Sequence, residues 1–396
     1  ERPLGASDRR RLHATFESLC RIPSPTGDER ALADWLTREL GAMGLEIDED
    51  DAGRSVGASA GNLFARIPGR HPEGDGDGEG GGPSILLCAH MDTVPPTAPL
   101  EPMLVDDGWE NAGDGILGAD NKAAVAVLVE LARLLTSADL GLEVGVELLF
   151  TIAEETGLHG AKAFDVGRLR SDFGYVFDHA SPLGEIVVAS PTYMRLVAEI
   201  RGRAAHAGLH PELGVSAISA AARAVMGMPQ GRLDLETTAN VGTIAGGTAT
   251  NVVPDRCRLE AEVRGLDQDR VDAVLTESID AVQDAVDQGS CDVDLEVERM
   301  FTGYRLRPRE RSVRVAERAL RSIGYEPRLV ASGGGADANA FRSAGFSCTN
   351  LANGTERPHE PGERVSIVAL AAGLELAVAL LVAAGDDTTM EGPTDG

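Results

Sequence analysis

Lysine is nearly absent from this sequence. Lys122 and Lys162 are its only two, so 34 of the 36 basic residues (36 − 2) are arginines, set against 63 acids for a formal charge of −27. A chain this acidic is repelled by nucleic acid and by anionic membrane surfaces, which excludes both as primary partners. Paired cysteines are lacking as well. Cys20, Cys88, Cys257, Cys291 and Cys348 are scattered and never form a C-x-x-C pair. That argues against a disulfide framework or a thiolate zinc site, and for a reducing, cytoplasmic compartment. No apolar leader opens the chain, where Arg2, Asp8 and Arg9 to Arg11 stand, so no signal peptide is expected. The longest apolar run, Val368 to Gly385, carries Glu375 near its middle. A charge there costs about 2–3 kcal/mol in a bilayer. A buried amphipathic helix with Ser366 as N-cap is the expectation, and the protein reads as soluble.

What is present is a chain of 396 residues, 43% apolar, enough for two packed domains or for one with an insertion. Residues 8–45 have helical spacing, with Leu32, Trp35, Leu36 and Leu40 before Gly41 and Gly44, and Asn62 to Ile67 reads as a short strand. His71 to Pro83 is a low-complexity run. Its formal G-x-G-x-x-G follows no strand and its carboxylates would repel phosphate, so a solvated hairpin tip is expected. From Ser84 strands and helices alternate: Ile85 to Ala89, Ala123 to Leu135, Val144 to Ile152, Tyr175 to Phe177. This rhythm predicts an α/β fold with a doubly wound, mostly parallel sheet and ligands at the carboxyl ends of its strands. Between 188 and 299 the texture changes to alternating strands (Thr192 to Ile200, Ala239 to Ile244, Cys257 to Arg264) with helices between, an inserted α+β domain. The α/β domain is then discontinuous, 1–187 and 300–396, and the residues from Asp386 are expected to fray.

Acids and histidines fall at the ends of these elements. His90 and Asp92, two apart in extended chain, share one face. Asp120 lies at the mouth of the apolar helix, where it could equally be an N-cap, beside Lys122. Glu154 and Glu155 follow the Val144 to Ile152 strand as adjacent carboxylates whose repulsion a cation relieves. One could bind metal while the other takes a proton from water. Asp178 and His179 end the third strand, and His359 sits in a Pro-flanked turn. Gathered in one crevice, these nitrogen and oxygen donors would suit two divalent ions, zinc, cobalt or manganese.

The segments AHMDTV (89–94), GILGADNKAAVA (115–126), FTIAEETGLHGAK (150–162), FDHASPLGE (177–185), RGRAAHAG (201–208), TATNVVP (248–254) and ERPHEPGE (356–363) occur in this order. Together they resemble the M20 dinuclear zinc exopeptidases, in particular the peptidase T branch. The resemblance implies that His90 and Asp178 hold one metal, Glu155 and His359 the other, and that Asp120 bridges them. Asp92 would orient His90, and Glu154 would be the general base. It implies a cis peptide between Asp120 and Asn121, and an inserted domain that serves as lid and dimerisation surface. From that domain, in this chain or in a partner subunit, His206 would stabilise the oxyanion, while Asn251 and Arg264 would hold substrate; Asp337, after the run Gly333 to Gly335, would shape the pocket. The expected activity is that of a metal-dependent aminopeptidase on short peptides, with tripeptides among them. An amidohydrolase acting on N-acyl or N-carbamoyl amino acids, and a non-catalytic metal-holding protein, are the rivals.

Overall fold

A computed structural model describes residues 4–69, 83–137 and 143–390, with side chains to 387. All but the last residue of the 71–83 run lies outside the described residues. The chain divides into two compact units.

The first unit comprises residues 1–188, Leu306–Ala331 and Ala336–Gly396. Its centre grows from the apolar run after Ser84, which forms the strand Ser84–His90 with Gly145–Thr151 and Phe173–His179 parallel on either side. Such a strand must be apolar on both faces, because crossover helices cover both; all of Gly145–Thr151 is likewise buried. Ser347–Ala352 extends the parallel set beyond Phe173–His179. Antiparallel strands complete the sheet, Leu63–Ile67 and Ile47–Glu49 at one side and the strand beginning at Glu185 at the other. The sheet is therefore mixed around a parallel centre, not parallel for most of its width. Because the chain adds Gly145–Thr151 on one side of Ser84–His90 and then Phe173–His179 on the other, a crevice opens at their carboxyl ends.

The helix Ala119–Thr136 packs on the Ser84–His90 strand and against the helices Ala6–Cys20 and Ile367–Met390. Val125, Leu128, Val129 and Leu131 on it are fully buried, each contributing about 1.5–3 kcal/mol. The helical stretch expected at 8–45 is two helices, Ala6–Cys20 and Arg30–Ala42. Pro23 and Pro25 stand between them, lacking N–H groups and steering the preceding residues away from helical angles. Among the described residues, Ile367–Asp387 is the one segment long and apolar enough to cross a membrane, with mean hydropathy 2.5, and 67% of that window is buried inside the protein. Ser366 Oγ accepts from Ala369 N at 3.0 Å, as expected of its cap. Of the residues from Asp386 expected to fray, 386–390 are helical, and 391–396 lie outside the described residues. The helix runs to Met390, since the buried Asp387 carboxylate draws in Arg311 (3.0 Å), Arg314 (3.6 Å) and Arg318.

A small antiparallel sheet was not foreseen. Pro102–Val105, Gly108–Asn111, Arg364–Ser366 and Thr355–Glu356 form it, and its last two strands hold the ends of the loop that carries His359. Trp109, on its second strand, donates from Nε1 to His13 Nδ1 at 3.0 Å. Burial lowers the His13 pKa from its usual 6.5. The folded state thus favours the neutral ring, a contribution that is present above pH 6.5 and is lost as the pH falls toward the depressed value. We expect the wild-type protein to lose more of its urea midpoint than H13Q does between pH 7 and pH 5. Parallel losses in the two proteins would remove His13 from the pH response.

The second unit comprises Ala189–Arg305 and Ser332–Gly335, so the run Gly333 to Gly335 belongs here and not to the α/β body. Its sheet is antiparallel: Gly231–Arg232, Thr237–Gly246, Arg256–Gly265, Thr192–Arg201, Asp292–Phe301. Alternate residues of Arg256–Gly265 are buried, as the sequence pattern requires. Leu196, Ala198, Leu259 and Val263 form the core with Ala220 and Ala221 of the helix Ala217–Gly227 and Val271 and Val274 of the helix Gln268–Gly289. The strand Asp292–Phe301 was not foreseen, although Val293, Leu295 and Val297 alternate with acids in the period of a half-buried strand.

Candidate metal centre

The first unit brings His90, Asp120, Glu154, Glu155, Asp178 and His359 to the carboxyl end of the parallel strands. Their donor atoms fall into three overlapping groups, His90–Glu154–Glu155, His90–Asp120–Asp178 and Asp120–Glu155–His359, each spanning less than 4.8 Å. His90 Nε2 lies 3.3 Å from Asp120 Oδ1 and 3.5 Å from Asp178 Oδ1. His359 Nε2 lies 3.6 Å from Asp120 Oδ2 and 3.0 Å from Glu155 Oε1. Asp120 therefore turns one oxygen to each histidine. Its backbone leaves the helical path at Asp120 (φ −83°, ψ 103°), the peptide to Asn121 is cis, and the helix starts one residue earlier with Gly118 as N-cap. Asp120 is thus not a cap.

His90 is 1% exposed, and its Nδ1 meets the main-chain oxygen of Asp92 at 2.9 Å, with the Asp92 carboxylate at 3.4 Å. That leaves Nε2 facing the acids. The Asp92 carboxylate is chiefly a brace, accepting from Glu154 N (2.9 Å), Glu155 N (3.2 Å) and Thr26 Oγ1 (2.7 Å). One buried acid thus sets the positions of both glutamates, a contribution the sequence did not disclose.

The electrostatics are those of a site short of positive charge. Burial, together with Asp178, Glu155 and Asp337, pushes the Glu154 carboxyl well above the usual range. Burial likewise drives Asp178 to about 8. Burial alone would depress His90, but Asp178, Asp120 and Asp92 outweigh it and hold the imidazole well above 6.5. The hydrogen bond to Glu155 raises His359 to about 9. Protons are thus drawn to where cations would serve. Asp120 Oδ1 is buried with no hydrogen-bond partner, and such a lone pair is costly unless something accepts it. The donor set of two imidazoles and four carboxylates, with an unsatisfied buried oxygen on Asp120, fits a pair of divalent ions.

Two residues without an expected role support this set. Glu363, the last residue of the 356–363 motif, is buried, and its carboxylate accepts from Leu117 N, Gly118 N and Asp120 N at 2.8, 2.7 and 2.8 Å. Burial raises it to about 7. Asn350 clamps the Asp178 backbone on both sides, Oδ1 to Asp178 N and Nδ2 to Asp178 O, each at 3.0 Å. Lys122 is fully buried, donates from Nζ to Ile22 O at 2.6 Å, and is lowered by burial to about 8. It ties the turn bearing Asp120 to the segment that follows the helix Ala6–Cys20. His179 turns to Glu185 (3.0 Å).

Asp337 departs from expectation. It opens the helix Asp337–Ser343 wholly buried, accepts from Thr151 Oγ1 at 2.5 Å, and has no surface on which a substrate could rest. In the second unit, His206 and Asn251 lie side by side, since Ala207 N donates to Asn251 O and His206 bridges Val252. Both are exposed. His206 Nδ1 accepts from Gly208 N (3.2 Å) and Leu209 N (3.1 Å), so the neutral ring presents its proton on Nε2. Arg264, expected to hold substrate, forks onto Glu262 (3.2 and 3.0 Å) and stacks on Tyr193 at 4.2 Å.

A peptidase dimerisation domain profile matches residues 188–290 and a peptidase family M28 profile matches residues 62–179. The uncharacterized protein YqjE of Bacillus subtilis is 35% identical over 94% of this chain and 98% of its own. Among solved structures, aminopeptidase PepT from Bacillus cereus is 38% identical, TM-score 0.81, covering 95% of this chain and 99% of that one. A tripeptidase from Staphylococcus aureus is 32% identical, TM-score 0.85, with the same coverages of 95% and 99%.

Proposed function

We propose that this chain, which belongs to the M20 family of metallopeptidases, is an aminopeptidase that cuts short peptides, tripeptides among them, with two zinc ions. It is a metal-dependent exopeptidase, and the full-length likeness to PepT and to a tripeptidase supports the amino-terminal and tripeptide details. In this reading His90 and Asp178 would hold one ion, Glu155 and His359 the other, and Asp120 would be shared between them. Nitrogen and oxygen donors of this kind suit zinc, cobalt or manganese, and zinc is the ion proposed. Bound there, the ions supply Lewis-acid polarisation of the scissile carbonyl and acidify the attacking water.

The observation that carries the reading is Glu154. It sits among the donor groups, outside the five residues assigned to the ions, its backbone pinned to Asp92 at 2.9 Å. Its carboxylate takes the water's proton and returns it to the departing amine. By the likeness to that family, His206 would donate Nε2–H to the carbonyl oxygen as it becomes an oxyanion, in this chain or from a partner copy; Asn251 beside it would serve the same substrate group. The match to a dimerisation domain supports a second copy as partner, paired through that unit. The cytoplasmic location follows the cysteine usage.

Assay of Ala-Ala, Ala-Ala-Ala and N-acetyl-Ala-Ala-Ala with zinc, cobalt or manganese tests this. Release of the first alanine from the free-amine tripeptide, and not from its acetylated form, is expected. Faster cleavage of N-acyl or N-carbamoyl amino acids would replace the aminopeptidase by an amidohydrolase.

A further inference from the structure

We infer that Glu363 is a positioning residue that locks the bridging carboxylate Asp120 and the ligand His359 into one unit; the inference rests on the metal assignment above. The turn Leu117–Asp120 passes through Gly118 at φ 77°. A left-handed residue inside a turn lets neighbouring N–H groups converge into a concave anion seat. Here that seat is filled by a side chain from 243 residues further along. Oε2 of Glu363 takes the N–H groups of Leu117 and Gly118, and Oε1 takes that of Asp120 itself.

Glu363 is equally well fixed on its own side. It is four residues beyond His359, its N–H donates to Glu360 O at 3.1 Å, and the strand Arg364–Ser366 follows at once, paired with Gly108–Asn111. The other end of the same loop is tied independently: Asn353 Nδ2 reaches Asn121 Oδ1 at 3.4 Å, and Asn353 Oδ1 holds Thr355 N at 3.0 Å. The loop bearing His359 is thus joined at both ends to the turn bearing Asp120. Since His359 Nε2 and Asp120 Oδ2 are only 3.6 Å apart, a shift of either segment changes the spacing of two ligands together.

Glutamine cannot replace this carboxylate. An amide has one acceptor oxygen, so its NH2 group must face at least one backbone N–H of the seat, leaving buried donors unpaired. Aspartate keeps the charge but draws the oxygens back by one carbon–carbon bond. Residues that orient metal ligands in this way typically change affinity about 10- to 100-fold when removed.

The test is Co(II) titration of the metal-free protein, with competition by a chelator and the visible absorption of the cobalt form recorded. Expected is a weakening of about 10- to 100-fold in E363Q and of about 3- to 10-fold in E363D, both with altered cobalt spectra. At saturating metal kcat should fall further than KM changes. D387A, which disturbs the fold at the C-terminal helix, should bind cobalt as the wild type does. Wild-type affinity and spectrum in E363Q, or an equal loss in D387A, would overturn the clamp. Should E363Q fail to fold, E363D decides, and a wild-type spectrum and affinity there overturn it. If the wild-type protein binds no cobalt, the metal assignment falls and takes the clamp with it; if it binds and E363Q binds equally, only the clamp falls.

Discussion

Replacing Glu154 by glutamine is expected to lower kcat by about 10²- to 10⁴-fold, the range a positioned proton acceptor contributes. Glutamine has the same shape and keeps the backbone bond to Asp92, so the site stays assembled and only the proton acceptor is lost. Metal content measured by atomic absorption should therefore match the wild type, and KM should change little. Those two controls separate a lost base from a collapsed site. A variant retaining more than about a tenth of the wild-type kcat would show that Glu154 does not carry the proton.

Stripping the metal should have the second large effect. Asp92, Asp120, Glu154, Glu155 and Asp178 crowd one crevice with His90 and His359. Without divalent ions their charge is balanced only by protons. A ligand at a thousandfold its Kd stabilises the folded state by about 4 kcal/mol per site. At about 2–4 °C per kcal/mol for a unit of this size, exhaustive chelation should lower the Tm by roughly 10 °C or more. Hydrolysis should cease and return with added zinc, cobalt or manganese. An unchanged Tm and rate in a sample shown by analysis to be metal-free would remove the metals from both stability and catalysis.

How much of this was readable in the sequence depends on where polar residues stand. Ile85 to Ala89 announced a central strand because nothing polar interrupts it, and the acids at the ends of such runs pointed to the crevice before any coordinates did. The fourth parallel strand, Ser347–Ala352, did not announce itself. It is a strand of Cys348, Thr349 and Asn350, made burial-compatible by bonds that only tertiary structure supplies, Thr349 to Ser312 and Asn350 to the Asp178 backbone. The small sheet around Trp109 was hidden for the related reason that its strands are two to four residues long. Asp337 and Glu363 reverse the expectation: the former, expected to shape a pocket, is buried against Thr151, while the latter, the last residue of the 356–363 motif, holds the turn at Asp120. Neither burial nor a backbone partner 243 residues away can be read from local spacing.

The position of Ser347–Ala352 has a consequence for biosynthesis. It pairs with Phe173–His179 on one edge and with the strand beginning at Glu185 on the other, wedged between two neighbours that are themselves close in sequence. On the ribosome those two edges emerge first and stay open while the whole second unit, with its own core, is made. Only when residue 352 is released can the catalytic sheet close, and His359, the last proposed ligand, follows seven residues later. The second unit can thus fold during synthesis, whereas the catalytic sheet must wait for the end of the chain with unpaired strands exposed. A nascent chain stalled before that point carries an aggregation-prone edge and no complete metal site.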